Sequence, residues 1–326
     1  MEKKDLRIVF MGTPDFAVAT LKALVDGGYN VVAVVTQPDK PVGRHGSVLQ
    51  ASAVKQFALA NGLPVLQPVK MKDPIFVEQL RSYSANLQVV VAFRMLPEIV
   101  WAMPQYGTFN VHAALLPQYR GAAPINWAVI NGETQTGVTS FFLDKDIDTG
   151  RIIMQMPFDI KPEYDAGDVY GGLMALGAEI CLKTLDKIVE GEGFPASMSQ
   201  DELVDSSTEL HAAPKIFKET CRMDWNLSAN RLHDFVRGLS PMPGAWTTLV
   251  AADGKETVLK VYKTELTEGV DGCAPGTIIV QGKTMAIVAG DGKALSVVEL
   301  QLAGKKRMAA RDFLNGIKDI ECCTVR

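Results

Sequence analysis

Residues 7–36 read RIVFMGTPDFAVATLKALVDGGYNVVAVVT. Arg7–Met11 is a short, nearly unbroken apolar run of the kind that forms a buried strand. Gly12-Thr13-Pro14 follows, with Thr13 placed to N-cap a helix and Pro14 at its first position. Phe16, Val18, Leu21, Leu24 and Val25 then make a stripe at helical spacing that stops at Gly27-Gly28. Asn30–Thr36 is a second apolar run. Strand, helix and strand in this order predict a parallel sheet covered by helices. The first turn lacks the G-x-G-x-x-G fingerprint, which speaks against a dinucleotide-dependent oxidoreductase. As a local feature, Gly12–Phe16 reads equally well as a tight helix entry or as a phosphate or substrate loop.

The same alternation continues outward. Pro64–Leu66, Leu87–Phe93, Thr108–His112 and Thr136–Leu143 read as further strands, and Arg151–Ile160 as an antiparallel return. Helices are expected near Ala51–Asn61 and Asp73–Tyr83, and a long one over Gly167–Gly191 closes the domain. Residues 191–210 are polar, rich in small side chains and without clear period, which suggests a linker. Beyond it the pattern changes. One helix is expected over Leu227–Leu239, followed by strands at Thr257–Val261, Thr277–Val280, Met285–Val288 and Leu295–Leu300. The turn pairs Asp253-Gly254 and Asp291-Gly292 then point to a small β-barrel. The expected architecture is α/β: a Rossmann-like, open, mainly parallel sheet in an N-terminal domain (1–190), a linker (191–210) and a smaller open, OB-like β-barrel (211–326).

Bulk properties agree with two soluble domains. The 326 residues exceed what one core usually organises, about 250 to 300. Hydrophobic residues make up 47% and charged residues 21%, an ordinary globular balance. No apolar run is long enough to span a bilayer, and the N-terminus does not read as a signal peptide. Five scattered cysteines form no C-x-x-C pair, so neither a zinc site nor a disulfide framework is expected. The net charge of −4 argues at first against a nucleic-acid partner. However, residues 1–210 hold 17 Lys and Arg against 24 Asp and Glu, whereas 211–326 hold 16 against 13. The C-terminal part is therefore mildly basic and suited to phosphate contacts.

Three groups carry candidate chemistry. Asn110 and His112 stand two apart on a strand, so both project from one face, at the end where open parallel sheets place ligands. Asp148 lies in the turn Asp146-Ile147-Asp148-Thr149-Gly150 after the next strand. Asp144, Asp146 and Asp148 alternate, but the calcium-loop glycine and terminal glutamate are missing, so no metal is expected. A carboxamide, an imidazole and a carboxylate suit acyl transfer to an amine. Donors stabilise a tetrahedral oxyanion, and the carboxylate orients the ring. No covalent intermediate is needed, in keeping with the absence of a G-x-S-x-G elbow.

The run NVHAALLPQYRGAAPINWAVINGETQTGVTSFFLDKDIDTG, residues 110–150, closely resembles the signature of the folate-dependent formyltransferases. The resemblance implies that Asn110, His112 and Asp148 form the active site and that 10-formyltetrahydrofolate is the co-substrate, with no metal. It further implies that Phe93, Leu96, Leu115, Leu116 and Pro117 wall the folate site. Residues 36–44 (TQPDKPVGR), 213–225 (APKIFKETCRMDW) and 241–246 (PMPGAW) are similar to the branch of the family that acts on initiator methionyl-tRNA. So are Ala274-Pro-Gly-Thr277 and Ala303-Gly-Lys-Lys306. In that branch the loop after the second strand meets the acceptor stem, and its arginine falls on Arg44. The sequence departs from the family at His45-Gly-Ser47, where further basic residues are usual, and at Ala114, where serine is common. A cytoplasmic monomer is expected. The alternatives are a formyltransferase for a small amine, such as a nucleotide-linked amino sugar, and a non-catalytic RNA- or folate-binding protein on the same scaffold.

Overall fold

The computed structural model describes residues 1–326 except 43–47, 206, 208, 269–271 and 318. It divides into two compact units. The first comprises residues 1–121, 135–159 and 170–212; the second comprises 122–134, 160–169 and 213–326.

Along the chain the elements of the first half are β1 (Arg7–Gly12), α1 (Asp15–Asp26), β2 (Asn30–Val35), β3 (Lys40–Val42), β4 (Val48–Gln50), α2 (Ala53–Ala60) and β5 (Val65–Leu66). They continue with α3 (Pro74–Ser82), β6 (Leu87–Val91), α4 (Glu98–Trp101), β7 (Thr108–His112) and β8 (Arg120–Gly121). After α5 (Pro124–Ile130), which belongs to the second unit, come β9 (Gln135–Phe142), β10 (Ile152–Asp159) and α6 (Ala166–Glu190).

Seven strands form the main sheet of the first unit in the order β10-β9-β7-β6-β1-β2-β5. The five from β7 to β5 are parallel, whereas β9 runs antiparallel to β7 and β10 to β9. The parallel strands are apolar almost throughout because both faces are covered: all five residues of β6 are buried, as are Ile8–Met11 of β1. From β1 the chain builds outward to β2 and β5, then returns to add β6 and β7 on the other side. The switch point therefore lies between β1 and β6, where Gly12 pairs with Val91.

Helix α1 begins one residue later than the sequence suggested. Pro14 occupies the N-cap position, and Thr13 makes no cap. The reason is Tyr170 of α6. Its hydroxyl accepts the Phe16 N–H at 3.1 Å and donates to Asp15 at 2.6 Å, so a first-turn amide is satisfied from outside the helix. Burial, reinforced by Asp15, pushes the Tyr170 phenol up and keeps it protonated. The hairpin β3–β4, unforeseen from sequence, is rooted by Asp39, which accepts from Lys55 Nζ and Gln67 Nε2, each at 2.7 Å. Asp39 and Lys55 lie largely out of solvent.

After the short β11 (Ala212–Ala213), at the division between the units, the second unit continues with α7 (Ala229–Leu239), β12 (Ala245–Val250), β13 (Glu256–Thr267), β14 (Ile278–Gln281), β15 (Thr284–Val288) and β16 (Ala294–Leu302). Then follow β17 (Met308–Ala309), α8 (Ala310–Gly316) and β18 (Thr324–Val325). The antiparallel sheet runs β14-β15-β16-β13-β12-β18, with β17 on β16. Register shifts near Val261–Thr264 bend the long β13 so that it pairs with β12 at one end and β16 along its length. The curl brings the sheet's edges back together at one point, where Thr277 bridges Thr324 and Val325 donates to Gly276 at 2.9 Å. This is the open barrel expected from the turn spacing. Its core holds Met223, Trp225, Leu232, Val236, Leu259 and Leu295. Among the described residues no helix is long and apolar enough to cross a membrane.

Candidate active site

Strand β7 carries Asn110 and His112 on one face, while Phe109 and Val111 point into the other layer. Across the antiparallel pairing Asn110 lies opposite Phe141 and His112 opposite Thr139. His112 is only 6% exposed. Its Nε2 donates to the Tyr119 carbonyl at 2.9 Å, which fixes the tautomer because a carbonyl only accepts. Nδ1 is then the ring position left to meet a reacting group, and Asp148 Oδ2 stands 3.8 Å from it. That separation is too long for a hydrogen bond but within ion-pair reach. The Phe141 ring meets the imidazole edge to face, with centroids 6.4 Å apart.

Asp148 comes from the turn joining β9 to β10. Its backbone is left-handed, with φ of 56°, a conformation that Asp tolerates better than most residues. Its Oδ2 also accepts the Gly121 N–H at 2.9 Å. The neighbouring Asp144 shapes the turn, accepting from the Asp146 N–H at 3.1 Å and the Thr149 hydroxyl at 2.8 Å. Gly150 closes the neck. A Cβ there would lie 1.7 Å from the Phe142 carbonyl oxygen, and no side chain can relieve a clash with backbone. Gly150→Ala is expected to cost on the order of 2–4 kcal/mol, measured as a lowered urea midpoint. Unchanged stability would mean that the turn does not close as described.

Asn110 Oδ1 is buried without a hydrogen-bond partner, as is Thr13 Oγ1. A buried amide oxygen left unpaired among the described residues at a strand end is costly and fits a group that meets substrate. The turn after β7 is pinned from β9 and β10. Thr139 Oγ1 donates to the Ala114 carbonyl at 2.6 Å and accepts the Leu116 N–H at 3.1 Å, while Gln155 Nε2 donates to the Leu116 carbonyl at 2.7 Å. Ala114 is fully buried. Leu116 is 1% exposed and packs with Phe141 and Ile152, Pro117 is buried, and Leu115 is half-buried. Leu96 is buried and Phe93 partly so, in the core beneath β1, β2 and β6. Arg94 holds this segment by donating to the carbonyls of Val69, at 2.9 Å, and Pro68. Beside it Lys70, Met71, Lys72, Met95, Leu96 and Pro97 line a groove of about 400 Å³. Arg44 lies outside the described residues.

The structure thus brings Asp148 to His112 at the sheet's C-terminal edge, with Asn110 two residues away on the same face of β7. Sequence reasoning missed their supports, the Tyr119 carbonyl and the Gly121 N–H, because main-chain groups leave no residue-type signal. The thiols offer no rival nucleophile in the core: burial pushes those of Cys181, Cys221 and Cys323 up.

Residues 6–185 match the formyl transferase family model, and residues 215–318 match the model of the formyl transferase C-terminal domain. The chain belongs to the formyl transferase family. Its relatives in this family include proteins named methionyl-tRNA formyltransferase. That of Parabacteroides distasonis is 57% identical over 325 residues, 100% of each chain. That of Phocaeicola vulgatus is 58% identical over 318 residues, 98% of each chain. That of Bacteroides fragilis is 54% identical, covering 97% of this chain and 96% of its own. Solved structures share the fold at lower identity. WlaRD, a sugar 3N-formyl transferase crystallised with dTDP and 5-N-formyl-THF, superposes with a TM-score of 0.61 at 18% identity, over 92% of this chain and 99% of that one. HypX from Aquifex aeolicus, in complex with tetrahydrofolic acid, gives 0.61 at 18% identity over 95% of this chain and 47% of that one.

Proposed function

We propose that this formyltransferase transfers the formyl group of 10-formyltetrahydrofolate to the α-amino group of methionyl initiator tRNA. The observation that carries the reading is Asp148 facing His112, with Asn110 on the same face of β7, in a chain whose full-length relatives bear that activity in their name. The neutral amine attacks the formyl carbon, and the carbonyl oxygen becomes an oxyanion. The Asn110 amide and the proton on His112 Nδ1 face that charge, while Nε2 stays anchored on Tyr119. Asn110 Oδ1 can accept from the incoming amine. Asp148 holds the imidazolium and takes the amine proton through water. Collapse expels the folate nitrogen, which receives a proton from His112. The formamide and tetrahydrofolate are released, and Asp148 passes the amine's proton to His112 Nδ1, so that both residues return to their starting states.

The folate is expected along the 93–97 and 115–117 segments. Lys70 and Lys72 on the adjoining groove suit its glutamate carboxylates. In the same reading residues 1–190 catalyse, 191–210 link and 211–326 hold the tRNA, in a cytoplasmic monomer. Replacing Arg44 by alanine is expected to raise the KM for tRNA and reduce the slope of log KM against log salt by about one, as for one lost phosphate contact. An unchanged salt dependence would remove Arg44 from the interface. The test of the reaction itself is tRNA-dependent conversion of 10-formyltetrahydrofolate to tetrahydrofolate. Conversion that a nucleotide-linked amino sugar supports and charged tRNA does not would transfer the assignment to a small-amine substrate.

A further inference from the structure

We infer that Gln200 is a positioning residue for Asp148 in this reaction, an inference that rests on the reading of Asp148 as catalytic. Gln200 opens a short 3-10 turn (Gln200–Leu203) in the polar segment after α6. Surface turns seldom bury a glutamine, yet this one is 2% exposed. Its carboxamide is fully used, and every bond goes to the frame of the site. Nε2 donates to the carbonyl of Asp148 at 2.8 Å and to that of Gly150 at 2.9 Å. Oε1 accepts both Nε, at 3.0 Å, and Nη2, at 2.6 Å, of Arg120. Arg120 directly precedes Gly121, whose N–H holds the Asp148 carboxylate.

One side chain therefore ties the main chain at the left-handed Asp148 and just after it, at Gly150, to the segment that grips the Asp148 carboxylate. The surrounding strand supports this placement. Met198 and Ile152 exchange backbone hydrogen bonds of 2.9 Å in both directions, and Arg151 Nε donates to Ser197 Oγ at 3.1 Å. The left-handed backbone at residue 148 is unfavourable for a non-glycine residue by about 1 kcal/mol and needs outside bonds to persist. Gln200 supplies two of them. The orientation of the amide is set as well, because carbonyls can only accept and a guanidinium can only donate. Glutamate in its place would set carboxylate oxygens against two carbonyls.

A displaced Asp148 would leave the substrates bound and slow the chemistry, since small misplacements of a catalytic group cost up to about a hundredfold. The experiment is steady-state formyl transfer by the full chain carrying Gln200→Met, which keeps the volume and removes all four hydrogen bonds. It is read alone and together with Asp148→Asn. The expected result is a kcat lower by at least about tenfold, with both KM values within about twofold. In the Asp148→Asn background, Gln200→Met should cause little further loss, because two residues acting through one group are not additive. If Gln200→Met does not fold, Arg120→Met on the half-buried partner is read in the same cycle. A folded variant with wild-type kcat, or a loss that adds fully to that of Asp148→Asn, overturns the inference. Full activity in Asp148→Asn alone would instead overturn the reading beneath it.

Discussion

Replacing His112 by alanine is expected to lower kcat for formyl transfer by at least about a hundredfold, the usual scale of a lost acid–base group or oxyanion donor. The geometry makes the loss specific. With Nε2 spent on the Tyr119 carbonyl, only Nδ1 can serve the reacting centre, and it faces Asp148 at 3.8 Å. Both KM values should change little, because the imidazole acts on charge that develops after binding. Some stability will be lost too, since the buried hydrogen bond from His112 to the Tyr119 carbonyl goes, typically at about 1 kcal/mol. Rates must therefore be expressed per folded molecule, from active-site titration with labelled folate. A folded His112→Ala protein that turns over at the normal rate would remove the histidine from the chemistry.

Asp148→Asn is the cleaner test and should be nearly as severe. Asparagine has the same shape, tolerates the left-handed backbone as aspartate does, and its amide oxygen can still accept the Gly121 N–H. Only the charge and the proton-accepting power are lost. A fall in the single-turnover rate of about a hundredfold, with an unfolding midpoint close to the parent's, is the expected outcome. If the single-turnover rate is preserved, Asp148 neither holds an imidazolium nor moves a proton.

The sequence made the first unit's sheet legible because its strands are buried on both faces. Runs such as Leu87–Val91 have no polar side to disguise them, and Asn110 and His112 stand out as polar residues at the end of one. What stayed hidden depended on distant partners. Thr13 looked like a cap, yet Tyr170, far along the chain, satisfies the first turn of α1. The hairpin β3–β4 is too short to show alternation and is rooted through Asp39 by Lys55 and Gln67. Strand β12, Ala245–Val250, went unread in the sequence. The residue types proposed for catalysis were readable, and their naming rested on the family resemblance. Their distances were not readable: nothing local shows that the turn holding Asp148 folds back onto β7, or that Gln200 reaches it.

The central claim is the acceptor, and the most direct measurement supplies purified protein with 10-formyltetrahydrofolate and two charged tRNAs. Methionine-charged initiator tRNA is compared with methionine-charged elongator tRNA, and formylmethionine is quantified after deacylation. The account predicts rapid formylation of the initiator and little of the elongator. No formylmethionine on either tRNA, with the donor shown to be intact, would contradict it.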